Sequence, residues 1–213
     1  MMTLTEALAD YKDAFIKRVD PARVSMMEAA TAALRATCIE KTALSVGAAA
    51  PDMTLPDATC KSVRLADLWA RGPLIVVFYR GGWCPYCNLE LRAWQRQLDA
   101  LQTKGAQLVA ISPQTPDNSL STAQKNELEF TVLSDTTLEV SEGFGLAFEL
   151  PPELVELYGR VGNDLPTLNG NGRWVLPVPA TYLIGANGRV LWAHVEVYYR
   201  MRAEPSEVIA RIA

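Results

Sequence analysis

Two cysteines with two residues between them, in the run Cys84-Pro85-Tyr86-Cys87, are the part of this chain best suited to chemistry. Such a pair can exchange electrons as a dithiol and disulfide, hold half of a metal site, or sit inert in a core. A zinc centre takes four ligands, usually two such pairs. Here Cys38 and Cys60 stand alone and His194 is the sole histidine, so neither a metal nor a cofactor is expected.

The flanking residues favour redox chemistry. Gly81 and Gly82 let the backbone turn sharply. Pro85 suits the first position of a helix, which puts Cys84 at its N-cap. Unpaired N–H groups and the positive end of the helix dipole would then face the Cys84 sulfur. Thiol pKa values in such places fall to roughly 3.5–7.5. Arg80 adds charge if its side chain turns toward the sulfur. Cys87, one helical turn on, is within reach of a local disulfide. One sulfur can attack an oxidised substrate and the other can resolve the product, in disulfide exchange or in peroxide reduction. Trp83 and Tyr86 flank the pair as an apolar docking surface, and the glycines and Pro85 imply an exposed turn.

Two elements must position this motif. Leu74-Ile-Val-Val-Phe-Tyr79 is a continuous apolar run, as in a strand buried on both faces. After the motif, Leu89, Leu91, Trp94, Leu98 and Leu101 predict one helix ended by Gly105. Residues 107–112 and 130–133 read as further strands, with a helix over 115–128 between them and another over 138–143 that Asp135 caps. This alternation predicts an α/β fold with right-handed crossovers. Pro151-Pro152 starts a short helix, residues 180–184 and 190–195 form a hairpin, and residues 204–212 a last helix. Upstream, the first 45 residues read as helical: Leu4, Leu8, Tyr11, Phe15 and Ile16 fall at helical spacing, and a second helix runs from Pro21 to about Thr42 with Asp20 as N-cap. Residues 47–51 read as a linker, with short elements at 53–57 and 63–69. The organisation expected is an N-terminal helical extension, 1–45, and one domain, 46–213.

The 213 residues carry a net charge of −4 with no dense basic run, which argues against nucleic acid as a partner. Residues 1–18 carry too many charges for a signal peptide or membrane span. A cytoplasmic protein with no membrane partner is the expectation, and a reducing cytosol disfavours structural disulfides. Cys38, Cys60 and His194 are read as packed side chains. Tyr198 and Tyr199 are read as surface packing, and a second copy of the chain is a candidate partner.

The motif resembles known proteins. Trp83-Cys84-Pro85-Tyr86-Cys87 is similar to the paired cysteines of thioredoxin and of glutaredoxin. Val178-Pro179-Ala-Thr-Tyr-Leu-Ile184 resembles the thioredoxin segment in which a cis-proline faces the cysteines, which makes Pro179 the candidate for that residue. Over residues 45–200, the stretches 47–57, Phe78-Tyr79, Leu133-Ser-Asp135 and Thr181-Tyr-Leu-Ile184 resemble the peroxiredoxin superfamily, in its alkyl hydroperoxide reductase/thiol-specific antioxidant branch. The resemblance implies a thioredoxin-like, peroxiredoxin-type α/β fold: a central mixed β-sheet flanked by helices. It implies a peroxide-reducing enzyme that cycles Cys84 and Cys87 and is re-reduced by thioredoxin or glutathione. The alternatives are a reductase of protein or glutathione disulfides and a non-catalytic redox-sensing module. The site departs from the peroxiredoxin pattern Pro-x-x-x-Thr-x-x-Cys, with Arg80 at the proline, Cys84 at the threonine, and Pro179 where an arginine is usual. The thioredoxin likeness makes Cys84 the attacking sulfur, and the peroxiredoxin likeness makes it Cys87.

Overall fold

The computed structural model describes residues 2–212. The chain opens with α1 (Leu4–Arg18) and α2 (Pro21–Ala36). Thr3 caps α1 reciprocally: its hydroxyl accepts from the Glu6 N–H at 3.2 Å, and Glu6 Oε2 accepts from the Thr3 N–H at 2.8 Å. Asp20 caps α2 and Pro21 begins it, as predicted. That helix stops before residue 42. The Thr37 hydroxyl bonds back to the Leu34 carbonyl, Cys38 takes a φ of 61°, and a separate turn α3 (Ile39–Thr42) follows.

Residues 47–51 are not a free linker. The Ala50 N–H donates to the Gly188 carbonyl and the Val190 N–H to the Ala48 carbonyl, so this stretch fills backbone bonding positions that the 180–195 hairpin leaves open. A small antiparallel ribbon follows, β1 (Thr54–Pro56) with β2 (Ser62–Arg64). The element expected at 63–69 divides into β2 and α4 (Leu65–Trp69).

The central sheet is built from β3 (Leu74–Phe78), β4 (Gln107–Ser112), β5 (Thr131–Ser134), β8 (Ala180–Ile184) and β9 (Val190–Val195), in the order β5-β4-β3-β8-β9. β3, β4 and β5 run parallel, while β8 and β9 complete a mixed sheet with antiparallel pairings. The apolar run of β3 is explained by its place at the centre. Ile75 and Val77 enter one core with Leu91, Trp94 and both motif cysteines; Leu74, Val76 and Phe78 enter the other with Phe144 and Tyr182. Leu4 and Leu8 of α1 join the first core.

The helix after the motif is split. α5 (Pro85–Gln95) and α6 (Leu98–Thr103) are separated at Arg96-Gln97, and Trp94 and Leu101 still reach one core. α7 (Pro116–Lys125) crosses from β4 to β5, and α8 (Glu139–Gly143) follows, its first amides held by Asp135 as predicted. The less regular stretch contains β6 (Ala147–Glu149), α9 (Pro152–Arg160), α10 (Leu165–Asn169) and β7 (Val175–Pro177), with β6 and β7 paired antiparallel. α11 (Pro205–Ile209) is the last helix.

Pro179 lies between β7 and β8. No peptide bond among the described residues is cis, so Pro179 does not match the cis-proline that the resemblance implies. The chain there runs extended from one ribbon to the next, with the Val178 N–H donating to the Leu146 carbonyl and the Pro179 carbonyl accepting from the Glu196 N–H.

Candidate active site

Cys84 and Cys87 sit where the loop after β3 enters α5. The loop is packed as well as turned. Gly81 has a φ of +142°, open to glycine and strained for other residues, and a Cβ on Gly82 would meet Thr122 Oγ1 at 2.1 Å. The Gly82 N–H donates to Gln114 Oε1 at 2.7 Å, and Asn88 Nδ2 donates to the Gly82 carbonyl at 2.8 Å. Asn126 Nδ2 in turn donates to Asn88 Oδ1 at 2.9 Å. These amides fix the register of the turn on which the sulfurs ride.

Cys84 is the N-cap of α5 and Pro85 its first residue, as the sequence predicts. Both cysteines are free thiols; Pro85 is exposed as expected, but the sulfur-bearing residues are not, with Cys84 2 % accessible and Cys87 0 %. Tyr86 is no docking surface either. Its ring is buried edge-on against Tyr11 of α1 and Tyr199, at 5.0 and 5.8 Å between centroids. The N-terminal helix therefore closes over one side of the motif. Trp83 is half-buried and meets Tyr158 edge-on at 5.4 Å.

Two buried guanidinium groups serve the sulfurs. Arg80 turns inward and lies over the rings of Tyr199, Trp83 and Tyr158 at 4.4, 5.0 and 5.6 Å. It donates to the Tyr158 hydroxyl and pairs with no carboxylate among the described residues. Arg202, between β9 and α11, donates from Nη2 to Cys87 Sγ at 3.3 Å and from Nε to Glu90 Oε2 at 2.5 Å. Its Nη1 donates to the Tyr199 and Met201 carbonyls, both at 2.6 Å.

The two thiols are driven apart. Burial pushes the Cys84 thiol up, but the facing Cys87 thiol, then the charges of Arg80 and Arg202, bring it down to about 6. Burial pushes Cys87 well above the usual thiol range; its bond to Cys84 and the Cys84 charge add to this, and the arginines only partly oppose it. Burial lifts Glu90 to about 7 against the pull of Arg202, and its Oε1 has no partner.

Sequence reasoning missed Arg202, Glu90, Tyr158 and Tyr199. Glu90 had a legible signal: it lies three residues after Cys87, beside Leu91 on the buried stripe that runs to Trp94, where a carboxylate needs a partner. Arg202 and Tyr158 carry no such mark, since only the tertiary fold brings them to the motif. The structure corrects Cys38 and Cys60, which are exposed rather than packed. His194 stacks on Trp192 in β9 and is partly buried.

Comparisons with known proteins converge on one group. The family model for the AhpC/TSA family matches residues 46–193. A Mycobacterium tuberculosis protein provisionally named a peroxiredoxin is 30 % identical over 156 residues, which cover 73 % of this chain and 88 % of that protein. The thiol-disulfide oxidoreductase ResA of Geobacillus thermodenitrificans is 30 % identical over 151 residues, covering 71 % of this chain and 70 % of ResA. Among solved structures, the peroxidoxin BcpB of Mycobacterium tuberculosis superposes with a TM-score of 0.63 at 20 % identity, covering 79 % of this chain and 96 % of its own.

Proposed function

The chain belongs to the AhpC/TSA family, and from that premise we infer that it is a thiol-dependent peroxide reductase; its own site, rather than the family pattern that points to Cys87, makes Cys84 the attacking sulfur and Cys87 the resolving one. The observation that carries the assignment of roles is the place of Cys84 at the N-cap of α5, with Cys87 inside the first turn and turned toward it; the thiols shift in the matching directions, Cys84 down and Cys87 up. At neutral pH Cys84 is the thiolate and Cys87 the proton-bearing partner.

The steps balance without a cofactor. The Cys84 thiolate attacks the terminal oxygen of a hydroperoxide; an S–O bond forms, the O–O bond breaks, and the alkoxide leaves as an alcohol after taking a proton. Cys84 is then a sulfenic acid. The Cys87 sulfur attacks it, its thiol proton leaves with the hydroxyl as water, and the 84–87 disulfide closes. A thiol reductant, thioredoxin or glutathione, returns the pair to the dithiol by exchange. Arg80 and Arg202 hold negative charge on sulfur in the ground state, and Arg80 and the α5 N-terminus face the oxygens as charge develops. Trp83 and Tyr86 keep the site dry, Pro85 fixes the helix start, and Pro179 sets the path of the chain into β8. Residues 1–45 act as a helical extension whose first helix covers Tyr86. The reductant named, and the apolar seal, suit a cytoplasmic setting; no described helix is long and apolar enough to cross a membrane.

A second reading is reduction of disulfides. It draws on the likeness to ResA and on a dithiol that sits at a helix start. One experiment separates the two. Reduced protein is mixed with one equivalent of hydrogen peroxide or an organic hydroperoxide in a stopped-flow instrument, with dimedone trapping and tandem mass spectrometry. The expected outcome is oxidation much faster than that of a free thiol at the same pH, a sulfenic acid on Cys84, and then an 84–87 bridge. Oxidation no faster than a free thiol, alongside rapid turnover of a mixed disulfide, would transfer the assignment to the second reading.

A further inference from the structure

Beside the redox site lies a cavity of about 220 Å³ that the reaction above does not use. Met27, Ala30 and Leu34, at helical spacing on α2, form a wall of it, and Phe148, Leu154 and Val178 add to its apolar lining. That α2 wall lies outside the stretch that the family model matches. Arg80, Tyr158 and Tyr199 also line it and bring a cation and two phenols to an otherwise largely apolar lining. Arg80 is 4 % accessible, and among the described residues neither its Nε nor the buried Tyr199 hydroxyl has a hydrogen-bond partner. Glu149 is the one carboxylate on the lining, and it is exposed.

We propose that this cavity binds an amphipathic carboxylate, a medium-chain fatty acid, with its alkyl chain along α2 and its carboxylate on Arg80 and the Tyr199 hydroxyl. An apolar pocket by itself would accept any greasy body. A buried guanidinium with a free donor, and no carboxylate partner of its own, selects for an anion at the head. The aromatic rings around Arg80 ease its burial and do not neutralise it. Within the chain its anionic neighbour is the Cys84 thiolate. The disulfide form has lost that charge and is therefore the form in which Arg80 most needs an external anion.

The test is calorimetric titration of the disulfide form with hexanoate, octanoate and decanoate, and with decanol as the neutral match in length. Binding at one site per chain is expected, tightening with length by at most roughly fourfold per methylene. Decanol should bind at least tenfold more weakly than decanoate. Arg80→Met should erase that preference for the acid, and Ala30→Trp, which fills the apolar wall, should weaken decanoate at least tenfold while thermal unfolding shows a folded protein. Equal affinity for decanol and decanoate, unchanged binding in Ala30→Trp, or no saturable binding would overturn the proposal. So would a dimer that closes over the cavity and excludes the acid, seen by sedimentation. No peroxide enters this titration, so a failure here leaves the peroxide chemistry standing, and the reverse also holds.

Discussion

The two ends of the motif carry similar parts and reach opposite results. Each sulfur has a buried arginine nearby. Arg202 touches Cys87, at 3.3 Å, yet Cys87 is the thiol that stays protonated. Arg80 serves Cys84 through its charge alone, and Cys84 is the one that ionises. The larger part of the difference lies in the pair itself, since the Cys87 thiol lowers Cys84 more than either arginine does while Cys84 raises Cys87; the rest lies in what else each arginine does. Arg202 spends its donors on Glu90 and two carbonyls, so much of its charge is already answered. Arg80 meets three aromatic rings and one phenol. Cys84 also has the Cys87 thiol turned toward it, and once the first sulfur ionises the second is penalised for doing so. A cation in contact with a thiol therefore does not by itself decide which sulfur of a coupled pair ionises.

The largest effect should come from the sulfurs themselves. Cys84→Ser should abolish peroxide turnover and leave no sulfenic acid for dimedone to capture. Cys87→Ser should also stop turnover, yet should accumulate a dimedone adduct on Cys84 after one equivalent of peroxide. An adduct on Cys87 in the Cys84→Ser protein, formed at the wild-type rate, would reverse the two roles.

Next in size is the stability that the Cys84 thiolate contributes. Its folded value of about 6 lies below its ordinary value of 9.0, so between these the unfolded chain holds a proton that the folded one has released. Stability should rise as pH climbs from about 6 to about 9 and be lost as pH falls back through 6; above 9 the raised Cys87 thiol, which keeps a proton that the unfolded chain has lost, turns the curve down. At about 1.4 kcal/mol per pH unit the gain is on the order of a few kcal/mol. Denaturant unfolding of the reduced protein across this range measures it, and Cys84→Ser should flatten the curve.

Removing the unmet charge should cost less than removing the sulfur. Arg80→Met keeps an unbranched apolar stem over the rings and deletes the cation. The Cys84 thiol should rise, and the second-order rate with hydrogen peroxide at neutral pH should fall by about tenfold or more, roughly 1.4 kcal/mol. Thiolate absorbance against pH reads the shift directly. An unshifted thiol in a folded Arg80→Met protein would mean that the helix terminus and Cys87 suffice.

Much of this comparison could be read in the chain, and its asymmetry could not. The apolar run of β3, Pro85 after Cys84, and the helical spacing through Trp94 place the motif at a strand-to-helix turn from local pattern alone. Arg80 is close enough in sequence to be named. Burial of the turn is a different matter. It depends on α1 laying Tyr11 against Tyr86, a contact between residues 75 positions apart whose only local trace is an amphipathic helix. Arg202 reaches Cys87 from 115 positions away. Pro179 shows the limit of a motif match, because the backbone path between β7 and β8 is set by bonds to residues 146 and 196 that the motif does not contain. Cys38 ends up exposed since the helix expected to bury it breaks at Thr37.

The smallest effect, and the finest probe, is Glu90→Gln. Burial raises the Glu90 carboxyl from 4.5 to about 7. Across that interval the folded protein holds a proton that the unfolded chain has lost, so stability should fall as pH rises from about 4.5 to 7. This is opposite in sign to the Cys84 slope and meets it near pH 6–7. Glutamine keeps the shape and removes the titration, so the fall should disappear, a change on the order of 1–3 kcal/mol over the interval. The same substitution releases Arg202 from its counter-charge while its 3.3 Å contact with Cys87 can persist. If unmet charge is what matters, the Cys87 thiol should then move down, toward Cys84, and the preference for sulfenic acid at Cys84 should narrow. If Cys87 stays where it is while the stability slope vanishes, burial and coupling to the Cys84 thiolate hold it up, and the arginine at its side is a structural clamp.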